Sequence, residues 1–511
     1  MPGNPTLLPP DSYNQALLSQ VHPPDWTNPQ PADCYDLLVI GAGTAGLVTA
    51  AGTAGLGLGL KVALVERYLM GGDCLNVGCV PSKCIVRSSR IAAEMRHAGA
   101  YGVMPPASVE VDFAAVMERM RRLRAEISPA DSAPRLQALG VDVFFGEGQF
   151  VDAHTLKVEG QSLHFKKAVI ATGARAAHPD IPGLQAVGFL TNETVFSLTE
   201  RPPRLAVIGG GPIGCEMAQT FQRLGCQVIL LHRSHHLLNR EDAEAAEMIQ
   251  RVFVREGVQL VLKASVARVE RSPQGKVLHF TSDGQPGQVV VDEILVGAGR
   301  VPNVERLNLE AAGIAYDSRQ GVQVNDFLQT SVPHIFACGD VCMDWKFTHA
   351  ADAAARLVVK NALFAPLGLG RSRLSRLTMP WTTYTDPELA HVGLYEQEAQ
   401  QRGIKTHTIR IDLAKVDRAI VDGETDGFVK VLHKAGSDKI LGATIVARHA
   451  GDLISEVTLA IANNIGLSKL SGVIHPYPTQ AEAIKKAADA YRRTLLTPRS
   501  QKILKLLTWF S

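Results

Sequence analysis

Residues 35–51 read YDLLVIGAGTAGLVTAA, and residues 61–66 read KVALVE. A buried-strand run, a glycine turn, an apolar helical stretch and a second β-rich run make a βαβ unit. The turn sets Gly41, Gly43 and Gly46 at G-x-G-x-x-G spacing, and Glu66 closes the next strand. Each part has a physical use. Glycines permit a tight turn and close approach of a pyrophosphate, the helix N-terminus offers unpaired N–H groups, and the terminal carboxylate accepts from ribose hydroxyls. A glycine fingerprint alone is also compatible with a packing turn; here strand, helix and acid are all in place.

Further along, RLAVIGGGPIGCEMAQTFQRLGCQVILLHR (204–233) repeats the order, with Gly209, Gly211 and Gly214 in the turn. Its second strand ends differently. Where an acid favours unphosphorylated NADH, this copy has His232 and Arg233, with Arg240 nearby, and a positive group suits the 2′-phosphate of NADPH. NADPH is therefore the expected hydride donor, with NADH as the alternative; the plainer reading makes Arg233 a solvated charge and His232 a strand cap. Between the copies lie a polar helical region near residues 109–138 and the strands VDVFFGEGQFV (141–151) and HFKKAVIATG (164–173), so the first domain is interrupted and completed later. From Met379 to about Tyr491 a new pattern begins, including a hairpin in KVLHKAGSDKILGATIVA (430–447) and the helix GDLISEVTLAIANN (451–464).

The 511 residues carry 52 basic and 50 acidic side chains, a net charge of +2 that supplies no strong drive toward nucleic acid or acidic membranes. Eight cysteines are too sparse for a disulfide framework and favour a reducing, intracellular setting, in which a disulfide would be catalytic. No apolar run reaches membrane-spanning length, and the start MPGNPTLLPPDSYNQALL lacks the order of a secretory signal, so the cytoplasm is expected. Residues 1–33, with repeated prolines, read as an extended arm outside any core. The stretch Leu495–Phe510 mixes Leu, Ile and Trp with Arg and Lys; as an amphipathic helix it is expected on a subunit interface in preference to a membrane surface.

The chemistry centres on GGDCLNVGCVPSK (71–83), which places Cys74 and Cys79 just after the first βαβ unit. A thiol near a helix N-terminus forms the reactive thiolate more readily, and a second thiol in reach closes a disulfide that stores two electrons, the equivalent of one hydride. No second ligand pair at finger-like spacing follows, so no metal site is expected. Two inert buried cysteines are the remaining plain reading.

With both fingerprints, this loop resembles the active-site signature of the pyridine nucleotide-disulfide oxidoreductases, over roughly Tyr35–Tyr491. The resemblance implies an α/β fold with two Rossmann-like nucleotide-binding domains and a C-terminal α+β dimerisation domain. Expected bounds are an arm at 1–33, an FAD domain at 34–178 and 303–370, an NAD(P) domain at 179–302, a dimerisation domain at 371–491 and a tail at 492–511. It further implies that Cys79 lies against the flavin as the charge-transfer thiolate, that Cys74 meets substrate, and that Lys83 sits near the flavin ring with Glu216 as partner. ATGARAAHPDIPG (171–183), with Thr172 and Gly173, resembles the crossing between domains; GAGRVPN (297–303), with Gly299, resembles a matching strand and turn; TSVPHIFACGD (330–340) resembles the second FAD motif, whose Asp340 holds the ribityl chain. Gly72 joins the cofactor-binding set. A helix N-cap before CMDWKF is the plainer reading of Asp340.

HPYPTQAE (475–482) supplies His475 and Glu482. A carboxylate that orients an imidazole and raises its basicity makes a relay for thiol protons. Disulfide-reducing members place such a dyad beside the other subunit's cysteines, which implies a homodimer. Among branches, HLLN (236–239) and PYPTQAEAIKKAADAY (476–491) resemble the mercuric reductase group. The fit is incomplete: RRTLLTPRSQKILKLLTWFS (492–511) has no cysteine pair, and no CxxC precedes Tyr35. Three readings stand: a mercuric reductase-like enzyme acting on Hg(II) or a thiol-bound electrophile, a disulfide reductase or dihydrolipoamide dehydrogenase-type enzyme, and a non-catalytic flavoprotein interaction or sensing module. Cys84, Cys338 and Cys342 are expected to pack the core.

Overall fold

The apolar run LLVI forms strand β1 (Leu37–Ile40), wholly buried, and VALVE forms β2 (Val62–Glu66). In this computed structural model, which describes residues 5–509, the two pair in parallel at the heart of a five-stranded parallel sheet. The order runs Ile335–Ala337, Ala168–Ile170, β1, β2 and β3 (Val141–Phe145), so β1 lies between β2 and Ala168–Ile170, which in turn pairs with Ile335–Ala337 from late in the chain. Segments far apart in the sequence thus share one sheet, and strands buried on both faces explain the unbroken apolar runs.

The described residues fall into two units. One holds the chain up to residue 209 with 220–229 and 266–376; the other holds 210–219, 230–265 and residues from 377 onward. In the first, the helix between β1 and β2 (Thr44–Ala54) packs on the helix Thr348–Leu363, and Arg204–Ile208 pairs in parallel with Glu293–Val296. In the second, five antiparallel strands run in the order Pro380–Thr383, Glu388–Gly393, Ile440–Ala447, Phe428–Lys434 and Thr406–Asp412. The helices Ala450–Ala462 and Glu482–Thr494 cover this sheet with Ile454, Val457, Ile484 and Ala487 in a shared core.

The expected extended arm is different. Its described part includes helix α1 (Ser12–Val21), opened by Asp11, whose Oδ1 accepts from the Asn14 amide at 2.8 Å. Leu17 and Val21, one helical turn apart, are fully buried. Prolines flank this helix rather than interrupt it, so the segment joins the core of the first unit. No helix among the described residues is long and apolar enough to cross a membrane.

Candidate active site

The first glycine turn is shaped by backbone approach. A Cβ on Gly46 would stand 1.7 Å from the Gly41 carbonyl oxygen, and one on Gly41, at φ +101°, would stand 2.4 Å from the Ala171 oxygen. Gly72, which opens the redox loop, meets the turn itself: its Cβ would lie 2.7 Å from the Gly43 Cα. Glu66 seals the turn, accepting the Ala42 N–H on one oxygen at 2.7 Å and the Tyr68 N–H on the other at 2.8 Å. Burial pushes this carboxyl above its usual range, and those two amides oppose the push. Gly41, Glu66, Gly146, Thr172 and Asn303 line one pocket, and Thr172 and Asn303 exchange hydrogen bonds of 2.7 and 2.9 Å across it. A glycine cradle at a helix N-terminus beside a buried carboxylate with spare lone pairs fits the adenosine and pyrophosphate of FAD.

Cys74 lies within the short helix Gly72–Asn76, and Cys79 is the first residue of the nineteen-residue helix Cys79–His97. Their side chains touch each other; contact with Cys79, then burial, pushes the Cys74 thiol far up. The Cys79 sulfur also lies 3.3 Å from the Thr348 hydroxyl, at the start of the helix Thr348–Leu363. Asp131, itself held up by burial, adds to the upward push on Cys74. Sequence reasoning missed Thr348 and Asp131, since neither belongs to a local motif.

It also missed Arg300, though GAGRVPN contains it. This largely buried guanidinium bonds Asp73, the residue before Cys74, and lies 3.3 Å from the Asp340 carboxylate. Burial raises the Asp340 carboxyl while Arg300 and Lys346 pull it down. Turn and coil follow Asp340 until Thr348, so it is not the cap of a helix. Arg300 thus ties the expected flavin-side acid to the redox loop. Lys83 sits in the first turns of the helix Cys79–His97; Glu216 is buried in the helix Pro212–Arg223, accepting the Tyr384 N–H at 2.9 Å.

The redox loop is clamped from the N-terminal arm. The Met70 N–H donates to Val21 O at 3.0 Å, and Arg124 on the helix Phe113–Ile127 donates to Asn76 O at 2.7 Å and to Asn14 Oδ1 at 2.6 Å. Asn76 returns to Met70 O and Gly72 O, both at 2.9 Å. Both ends of the segment bearing Cys74 are therefore fixed by contacts that start at α1.

In the second fingerprint Gly209, at φ +110°, admits no side chain, because a Cβ would stand 2.6 Å from Gly297 O; Gly211 has open space around it, and Gly214 is helical. His232 does for this turn what Glu66 does for the first: its Nδ1 accepts the Gly210 N–H at 3.0 Å. It is more than a strand cap. Burial, then His236 and Arg233, hold His232 below the ordinary histidine value. Arg233 and Arg240 are exposed, and Gly299 adopts φ +118° with open space beside it. The extra thiols Cys338, fully buried, and Cys84 and Cys342, partly buried, are raised by burial, as expected of packing residues.

The expected pairing of His475 with Glu482 is corrected. His475 Nε2 lies 2.8 Å from Glu456 Oε1, and Nδ1 lies 3.2 Å from Val473 O. Glu482 opens its own helix and pairs with Lys486 one turn on at 3.3 Å. Six residues, two of them prolines, lie between His475 and Glu482, while the helix Ala450–Ala462 brings Glu456 to the ring.

A family model described as pyridine nucleotide-disulphide oxidoreductase matches residues 35–355, and that family's dimerisation domain matches residues 379–488. The chain is 36% identical to a mercuric reductase of Lysinibacillus sphaericus over 463 residues, covering 91% of this chain and 84% of the relative. It is 32% identical to a dihydrolipoyl dehydrogenase of Chlamydia muridarum over 461 residues, covering 89% and 96% of the two chains. Among solved structures, the HOCl-induced flavoprotein disulfide reductase RclA from Escherichia coli superposes with a TM-score of 0.78 at 27% identity, covering 89% of this chain and 99% of that one. With two nucleotide-binding folds, a touching cysteine pair and a dimerisation domain in one chain, this protein belongs to the FAD- and NAD(P)-dependent pyridine nucleotide-disulphide oxidoreductases.

Proposed function

We propose that the protein is an NADPH-using reductase of Hg(II) or a related thiol-bound electrophile, acting through Cys74 and Cys79. The observation that carries this reading is the direct contact between the two thiols, on a loop whose Gly72 packs against Gly43 of the first glycine turn. FAD, when bound, relays the electron pair of a hydride to the sulfur pair. The protein's own groups do the rest. Cys74, the thiol with the raised pKa, meets the electrophile after losing its proton, and Cys79, at the start of a long helix whose dipole favours an anion, closes the disulfide. Arg300 holds Asp73 and so orients the residue beside Cys74. His232 and Arg233 stand where a strand-ending acid would repel a 2′-phosphate, with Arg240 as a further cation nearby.

A second reading, reduction of a small disulfide or lipoamide, is favoured by the His475–Glu456 pair, a proton relay that a leaving thiolate needs and a metal ion does not. In either case the working unit is a homodimer, and with a disulfide substrate His475 serves the sulfurs of the other subunit. Steady-state oxidation of NADPH and NADH, with Hg(II) in excess thiol, oxidised glutathione and lipoamide as acceptors, separates the readings. Turnover with Hg(II) and NADPH supports the first. Exclusive turnover with a disulfide supports the second and removes the first.

A further inference from the structure

Residues 492–509 include Arg492, Arg493, Arg499, Lys502 and Lys505 and no acidic side chain. The near-neutral total hides this concentration of charge. Thr497 caps a ten-residue helix here, Pro498–Leu507, accepting the Ser500 N–H at 3.2 Å. None of its residues is buried: Ile503, Leu504, Leu506 and Leu507 are between 50% and 60% exposed. At helical spacing these four share one face, with Arg499 and Ser500 at its N-terminal end, while Gln501, Lys502 and Lys505 occupy the other. Trp509 follows, 87% exposed.

We propose that this helix is a surface anchor that lies in the headgroup region of an anionic lipid bilayer, apolar face inward and lysines toward the lipid phosphates. Charge selects the occupant. Five cations without a single acid complement an anionic surface, and a terminal tryptophan suits the boundary between headgroup and acyl chain. Such an anchor places a redox enzyme at a membrane without any spanning segment.

The test uses the full-length, flavin-loaded protein and sedimentation with vesicles of phosphatidylcholine alone or mixed with phosphatidylglycerol at physiological salt. The expected result is co-sedimentation with the mixed vesicles only. Lys502→Gln with Lys505→Gln lowers partitioning by roughly tenfold to thirtyfold. Leu504→Ser with Leu507→Ser removes it, and both pairs leave NADPH oxidation and flavin content unchanged. Equal binding to both vesicle types, absence of binding, or binding that survives the leucine changes overturns the proposal. So does conversion of dimer to monomer by the leucine changes, which makes a second copy the cover.

Discussion

The two glycine turns solve one problem with different acceptors. In the first, the N–H of the middle residue, Ala42, points at the Glu66 carboxylate; in the second, the N–H of the middle residue, Gly210, points at the His232 imidazole. The hydrogen bond fixes the same local geometry in both, but the charge left beside the ribose differs. A carboxylate suits a ribose diol and repels a phosphate there; a neutral imidazole next to arginine does not. Only the first turn also meets a redox loop, through Gly72, and only that loop is clamped by Arg124 and the N-terminal arm. On the proposed reading, one fold element serves as a static flavin cradle in one place and as the coenzyme selector in the other.

The largest expected effect breaks the first turn. Gly46→Ala sets a Cβ against Gly41 O, a backbone atom no rotamer can move, so purified protein should lack FAD and all turnover; Gly211→Ala meets nothing within 4 Å and should keep the flavin, raising only the KM for nicotinamide coenzyme. Absorbance at flavin wavelengths in the two variants checks this. Next comes the clamp. Arg124→Leu leaves Asn76 O and Asn14 Oδ1 without their donor, a cost of about 3 kcal/mol. Alkylation of Cys74 by iodoacetamide should speed up, with Arg124→Lys partly restoring the slow rate. An unchanged alkylation rate removes the positioning role.

His232→Glu gives the second turn the first turn's acceptor. The Gly210 N–H keeps a partner while the 2′-phosphate meets a negative charge, so the NADPH to NADH ratio of kcat/KM should fall by about tenfold or more, about 1.4 kcal/mol. A ratio that stays put means His232 is not the selector. The smallest effect is on pH dependence. Because His232 is held below its ordinary value of 6.5 in the fold, the unfolded chain takes up that proton first as pH falls through 6.5, and stability declines below it. Gln at 232 accepts without titrating, so the drop in Tm between pH 6.5 and 5 should be shallower in His232→Gln, by on the order of 1 °C.

The sequence showed what is local. Glycine spacing, the strand-ending acid and the cysteine loop each lie within thirty or so residues, so periodicity and turn chemistry expose them. The partner of His475 was out of reach because Glu456 lies nineteen residues away and arrives on a separately docked helix. Arg300, Thr348 and Asp131 converge on the redox loop from three distant segments, so only folding reveals them. The arm is a different case. Asp11 as a cap, with Leu17 and Val21 one turn apart, was a readable helix signal that the surrounding prolines masked.

On the proposed reading, turnover requires Cys74 and Cys79 to exchange an electron pair with the flavin as a disulfide. The direct measurement is an anaerobic thiol count before and after one equivalent of NADPH, with alkylation and mass spectrometry to locate the sulfurs. Two additional thiols at Cys74 and Cys79, accompanied by a long-wavelength band that Cys79→Ser abolishes, are predicted. An unchanged count, or new thiols elsewhere, contradicts the account.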